Sequence, residues 1–264
     1  MRKNWAALAL TGMLCLTTFA GTQTVSAETA DSAKQVDIVF THDTHSHLNT
    51  FTTIVDEAEK EVGGFARINT LIQEQKAKNP DTLVIDGGDF SMGTLIQTVF
   101  ETQAAEIRML GYMGCDVTTL GNHEFDYGMM RALDVAQNSG FPYVSCNFYE
   151  EKDGIRGDNV LDSYKIFERD GVKIAFVGIT TPESFTKSTP SYFQDENGNY
   201  IYGISGGSDG KALYDDVQKS IDEAKAAGAD YVIALGHLGI DTGSAPWRST
   251  DVIANTSGLD AFID

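Results

Sequence analysis

Apolar positions along the chain follow two different periods. Short, largely β-branched apolar runs at residues 36–40, 83–85, 117–120, 143–145 and 231–235 have the length of buried strands. Between them, apolar residues recur three and four positions apart, as with Ile68, Leu71 and Ile72 in a helix predicted over 65–78. Asn79-Pro80-Asp81 ends that helix, and the same spacing predicts others at 98–113, 127–138 and 211–227. Strand followed by helix, repeated, implies an α/β fold with a largely parallel sheet.

Two stretches break the alternation. Residues 164–168 and 172–179, joined through Arg169-Asp170-Gly171, have the turn chemistry of a β-hairpin. Residues 182–209 are polar, rich in Ser, Gly, Asn and Tyr, and without a period, which is expected of a functional surface loop. Beyond them the pattern returns to α/β order, with a helix and then a strand between residues 248 and 263. No internal repeat is visible.

The first 27 residues are of another kind. Arg2 and Lys3 precede an apolar stretch, and Val25-Ser26-Ala27 supplies small residues at cleavage positions, so residues 1–27 are expected to be a secretory signal peptide cut after Ala27. The apolar run is short for a membrane span, and Met13 and Leu14 before Cys15 do not suit a lipoprotein signal. Export then places residues 28–264 outside the cytoplasm, with 28–34 as a flexible leader and the rest as one domain.

Without Arg2 and Lys3 the chain carries 17 basic residues against 38 acidic, a net charge of −21. That balance excludes nucleic-acid polymers and anionic membranes as natural partners. It suits a solvated exported surface, and locally it calls for cations. Cys115 and Cys146 fall at opposite ends of neighbouring strands and are expected to be free, buried thiols despite an oxidising compartment.

All five histidines sit just after apolar runs. They are His42, His45 and His47 in THDTHSHL, His123 in LGNHEFD and His237 in ALGHLG. Parallel strands end on one edge of a sheet, so residues distant in sequence can converge there, and imidazoles with carboxylates at that edge point to a metal site. Asp43 and His45, two apart in extended chain, face one side and could grip one cation. Asp89 leaves its strand through Gly87-Gly88, and its two oxygens could bridge two ions. Asn122 offers a neutral amide oxygen. His123 could donate to a phosphate oxygen or a leaving group, with Asp126 three residues on to orient it.

The ordered motifs D-x-H, G-G-D, G-N-H-E-F-D and G-H resemble the calcineurin-like metallophosphoesterase superfamily, and within it the secreted bacterial 5′-nucleotidase family. Gly63-Gly64-Phe65-Ala66-Arg67 and Gly178-Ile179-Thr180-Thr181-Pro182 add to the resemblance, which runs from about residue 36 onward. It implies a layered α/β/β/α sandwich with a metal site at the carboxyl ends of the strands. It implies two divalent ions, Zn, Mn, Fe or Co, with Asp43 and His45 on the first, Asp89 bridging, and Asn122 with His237 on the second. A dinuclear site of that kind activates water and stabilises in-line phosphoryl displacement, with His123 and Asp126 assisting the departing oxygen of a nucleotide or other phosphoester. His42 and His47 match no ligand role and are expected to be supporting hydrogen-bonders or surface residues.

The family's domain continues past a strand like 260–263 into G-H-x-H and then into a domain that grips the nucleoside base. Neither lies within the 264 residues, so the resemblance implies a chain one ligand short on each ion, without its substrate-selecting surface, and with weak or no 5′-nucleotidase activity alone. Two other readings start from the same residues. His45-Ser46-His47 resembles the H-x-H of amidohydrolase-type barrels, which leaves the G-N-H-E loop without a purpose. A secreted metal-binding or surface domain without turnover would need only one ion.

Overall fold

A computed structural model describes residues 35–264, with twelve strands and seven α-helices among them; the expected leader at 1–27 lies outside the described residues. β1 (Ile38–Thr41) leads through a hairpin, β2 (Phe51–Val55) and β3 (Ala58–Val62), to α1 (Phe65–Lys78) and β4 (Leu83–Asp86). Next come α2 (Phe100–Gln103), α3 (Ala105–Met113), β5 (Val117–Thr118) and α4 (Met129–Asn138). Two hairpins follow, β6 (Phe148–Lys152) with β7 (Ile155–Asn159) and β8 (Tyr164–Arg169) with β9 (Val172–Ile179). The remaining elements are α5 (Ser184–Lys187), β10 (Tyr202–Ile204), α6 (Lys211–Ala226), β11 (Tyr231–Gly236), α7 (Ser249–Asn255) and β12 (Ala261–Ile263).

Two sheets carry the architecture. One is parallel, in the order β1-β4-β5; the other runs β12-β11-β9-β8, parallel except for β8. Strand side chains alternate between faces, and that alternation sorts the core into three layers. Leu83, Ile85, Val117, Ile174, Phe176, Ile233 and Leu235 meet between the sheets. Val84 points the other way, to Phe65 and Ile72 of α1, Ile107, Leu110 and Met113 of α3, and α4. Ala175, Val177, Val232 and Ala234 face Leu213, Val217 and Ile221 of α6 and Val252 of α7. The order helix, sheet, sheet, helix is the α/β/β/α sandwich that the motifs implied.

The sheets are stitched by the segment 143–146. Tyr143 bridges Thr118, Val144 N–H donates to the Thr118 carbonyl at 2.9 Å, and Cys146 N–H donates to the Gly178 carbonyl at 2.8 Å. A Cβ at Gly178 would fall 2.0 Å from the Val144 carbonyl oxygen, so only glycine permits the approach.

Local departures from the sequence pattern have physical causes. The run predicted as one helix at 98–113 is broken at Ala104, which is left-handed with φ 44°, and the break turns both Phe100 and Ile107 into the first core. The helix predicted from 127 begins at Met129, after Gly128 at φ 84°. Residues 143–145 make only isolated bridges, and the 182–209 stretch holds α5, β10 and a 3₁₀ turn. Both described cysteines are free and buried, as expected.

Candidate metal centre

The site is built from the segments that leave β1, β4, β5 and β11. After β1 the chain turns sharply: Asp43, His45 and Ser46 have φ of 49°, 41° and 55°, and Asp89 after β4 has φ 55°. Left-handed backbone costs a non-glycine residue about 1–2 kcal/mol, so each needs holding. Asp43, His45 and Ser46 N–H groups donate to the carbonyls of Gly88, Asp89 and Phe90, zipping the first segment to the second. The third closes on them through His123 N–H, which donates to Asp89 Oδ1 at 2.8 Å. Glycine is required at this junction, because a Cβ on Gly121 would lie 2.1 Å from Asp89 Oδ1 and one on Gly88 would lie 2.5 Å from Gly121 N.

Four of the expected ligands converge. His45 Nε2 is 3.3 Å from Asp43 Oδ1 and 3.8 Å from Asp89 Oδ2; His237 Nε2 is 3.9 Å from the same Asp43 oxygen and 3.3 Å from the same Asp89 oxygen. The far nitrogens are tied to backbone: His45 Nδ1 lies 3.1 Å from the Ser91 carbonyl and 3.0 Å from that of Met92, and His237 Nδ1 lies 3.0 Å from that of Gly87. Such bonds fix the Nδ1–H tautomer and leave Nε2 facing the cluster. Asn122 is buried on the third segment, and its side-chain amide enters no hydrogen bond among the described residues.

The remaining predicted residues sit alongside. His123 Nδ1 is 2.5 Å from Asp126 Oδ2, and a ring nitrogen of His123 comes within 4.8 Å of ligand atoms of His45 and Asp89. His47 turns away, its Nδ1 3.3 Å from the Thr44 carbonyl and its ring edge-on to Phe51. His42 stays at the cluster, with a ring nitrogen within 4.8 Å of ligand atoms of Asp43 and His237. Glu124 carries a role that the sequence did not disclose: fully buried, it accepts the N–H groups of Asp89, Phe90 and Gly121. A glutamate inside G-N-H-E-F-D is visible, but two of its three partners, Asp89 and Phe90, lie 35 and 34 residues earlier in a different loop.

The electrostatics are those of carboxylates and imidazoles forced together. The Asp43 hydrogen bond, with Asp89 nearby, raises His45 to about 9. Burial would lower His237, but Asp89 outweighs it and raises that imidazole to about 9 as well. Burial pushes Asp43 up, yet His42 and His45 more than reverse this and hold it well below the usual carboxylate range. Asp126 raises His123, and burial with the nearby Asp89 pushes Glu124 up to about 8. Protonated imidazoles thus balance the carboxylate charge, a place that a cation can take. Oxygen and imidazole donors in this mixture fit Zn, Mn, Fe or Co.

Comparison with known proteins accords with this geometry. The profile described as Calcineurin-like phosphoesterase matches residues 36–263. The trifunctional nucleotide phosphoesterase protein YfkN of Bacillus subtilis (strain 168) is 26% identical over 260 residues, which cover 89% of this chain and 17% of YfkN. The 5′-nucleotidase of Mus musculus is 30% identical over 222 residues, covering 80% of this chain and 35% of the mouse protein. Among solved structures, YfkN from Bacillus subtilis aligns with a TM-score of 0.66 at 26% identity, over 85% of this chain and 70% of that one. The 5′-nucleotidase precursor from Thermus thermophilus has the same fold, with a TM-score of 0.66 at 24% identity over 85% of this chain and 40% of its own. The chain therefore spans from about a sixth to about a third of the length of these two curated relatives.

Proposed function

The chain belongs to the calcineurin-like phosphoesterase family, and on that footing we propose that it forms the catalytic face of an exported, metal-dependent hydrolase of nucleotide phosphoesters. The observation that carries the reading is the convergence of Asp43, His45, Asp89 and His237 from two sheets, with Nε2-to-oxygen distances of 3.3–3.9 Å. Asp43 and His45 would hold one divalent ion, Asn122 and His237 a second, and Asp89 would serve both. Two ions bound there would polarise a phosphoryl oxygen and make water a nucleophile near neutral pH.

The chain's own groups supply the rest. Asp126 accepts a hydrogen bond from His123 Nδ1–H, which orients that imidazole and shifts it toward its protonated form. The other nitrogen of His123 would stabilise negative charge on the phosphoryl group and pass its proton to the departing alkoxide. Relatives whose printed names are nucleotide phosphoesterase or 5′-nucleotidase support nucleotides as the substrate class. The acidic surface agrees with small substrates rather than polymers. No helix among the described residues is long and apolar enough to cross a membrane.

Calorimetric titration of the full chain with Mn²⁺, followed by phosphate release from AMP with and without EDTA, tests the proposal. Bound divalent ions and at most weak, EDTA-sensitive release are expected, in keeping with the weak or absent activity expected above, and His123→Ala should abolish what release there is, as loss of a general acid would. A chain that takes up no divalent ion would remove the basis of the reading.

A further inference from the structure

His42 stands where the segment after β1 meets the segment after β11. Its Nδ1 lies 2.6 Å from Asp43 Oδ2, and because a carboxylate only accepts, the imidazole donates. The same ring lies flat against His237, with centroids 4.6 Å apart and planes 3° from parallel. Its Nε2 is buried without a hydrogen-bond partner. Leaving a ring nitrogen unpaired is costly, so the ring's position is set by its other contacts.

Those contacts enclose it. Gly87 lies behind the ring, where a Cβ would fall 2.1 Å from His42 Cδ2. The Gly87 carbonyl is in turn the partner of His237 Nδ1 at 3.0 Å. Phe40 is tilted against the ring with centroids 5.6 Å apart. One imidazole thereby touches a residue from each sheet: Asp43, after β1, and His237, after β11.

We propose that His42 is a positioning residue coupling the two halves of the metal centre, fixing Asp43 through Nδ1 and His237 through the stacked ring. The inference rests on the reading in which Asp43 serves one ion and His237 the other. Asp43 has a side chain 50% exposed on left-handed backbone, so without a tether it would sample several rotamers. Holding Oδ2 leaves Oδ1 turned to His45 and His237. The stack confines the His237 ring so that Nε2 faces Asp89. Losing a partner of this kind lowers metal affinity about 10–100-fold in comparable sites.

Three substitutions separate the two contacts. His42→Asn keeps a donor for Asp43 but no ring, His42→Phe keeps a ring but no donor, and His42→Ala keeps neither. The full chain, stripped with EDTA, is titrated calorimetrically with Mn²⁺, and the His237 imidazole is followed in long-range ¹H–¹⁵N spectra. His42→Phe is expected to weaken one class of Mn²⁺ site about tenfold and His42→Asn the other, with His42→Ala weakening both. The His237 signals should broaden in His42→Asn and His42→Ala and stay sharp in His42→Phe. Unchanged affinities in folded variants overturn the proposal, and so does a uniform loss that Asn and Phe share, since that marks a merely structural residue. A wild-type chain that binds no Mn²⁺ overturns the reading of the site itself and takes this inference with it, so the two failures are distinct.

Discussion

Glu124 is wholly enclosed, and both of its oxygens face backbone donors from the loops that carry Asp89 and Asn122. Three N–H groups therefore depend on one side chain. Glu124→Gln is nearly isosteric but turns an NH₂ group toward donors, leaving at least one buried N–H unpaired. A loss of about 1–3 kcal/mol is expected in urea unfolding, with weaker Mn²⁺ uptake because the Asp89 loop loosens. An unchanged urea midpoint would show that the loops do not depend on it. This residue also marks where sequence reading stops. Asp43, His45, Asp89, His123 and His237 are legible because each follows an apolar run, and parallel strands bring their exits together. Glu124 holds Asp89 and Phe90, which are adjacent to it only after folding, and His42 reads as a spare histidine until its ring is found on His237.

Helices and loops interlock at positions where a single hydrogen bond decides stability. Ser46, on the segment after β1, donates to Glu106 Oε1 on α3 at 2.5 Å, and both residues are fully buried. Ser46→Ala strips Glu106 of that partner and is expected to cost about 1–3 kcal/mol in thermal or urea unfolding. Replacing both, as Ser46→Ala with Glu106→Met, should recover most of the loss, since removing a buried pair together is nearly neutral. Two equal losses that simply add would refute the coupling. At the far end of α1, the side chains of Gln75 and Asn79, with Gln35, donate to Asp37 and hold its carboxyl below the usual range. A depressed carboxylate stabilises the fold above its unfolded value of about 3.9, and the contribution fades as pH falls through the lower folded value. Asp37→Ala should therefore lower stability at pH 6, with the difference from the wild type shrinking as the pH falls below the unfolded value, measured by unfolding across that range. The hairpins β2–β3 and β6–β7 escaped the sequence pattern for a matching reason. Their residues are mostly exposed on both faces, so no apolar alternation is written into them, and only their turns, at Asp56-Glu57 and Asp153-Gly154, carry positive φ. The central strands were legible because each buries both faces between layers.

Across the whole molecule, the cluster draws its side chains from both sheets, with Asp43, His45 and Asp89 at the carboxyl ends of β1 and β4 and His237 at that of β11. An ion shared between them would tie the sheets at their carboxyl ends, while the segment 143–146 stitches them along their length. Binding to the native state alone stabilises it, by about 2.7 kcal/mol when free metal is a hundredfold above its dissociation constant. For a domain of this size that corresponds to a rise of roughly 5–10 °C in midpoint temperature. The net charge of −19 makes a general cation effect the competing explanation, because any salt screens acidic self-repulsion. The two are separable by calorimetric melts at equal ionic strength. Mn²⁺ should raise the wild-type midpoint, EDTA should restore it, NaCl should not reproduce the shift, and His237→Ala should lose most of it while keeping any screening response. A rise of the same size in His237→Ala would mean that the ions act on surface charge, and that the bond between the two sheets does not pass through the cluster.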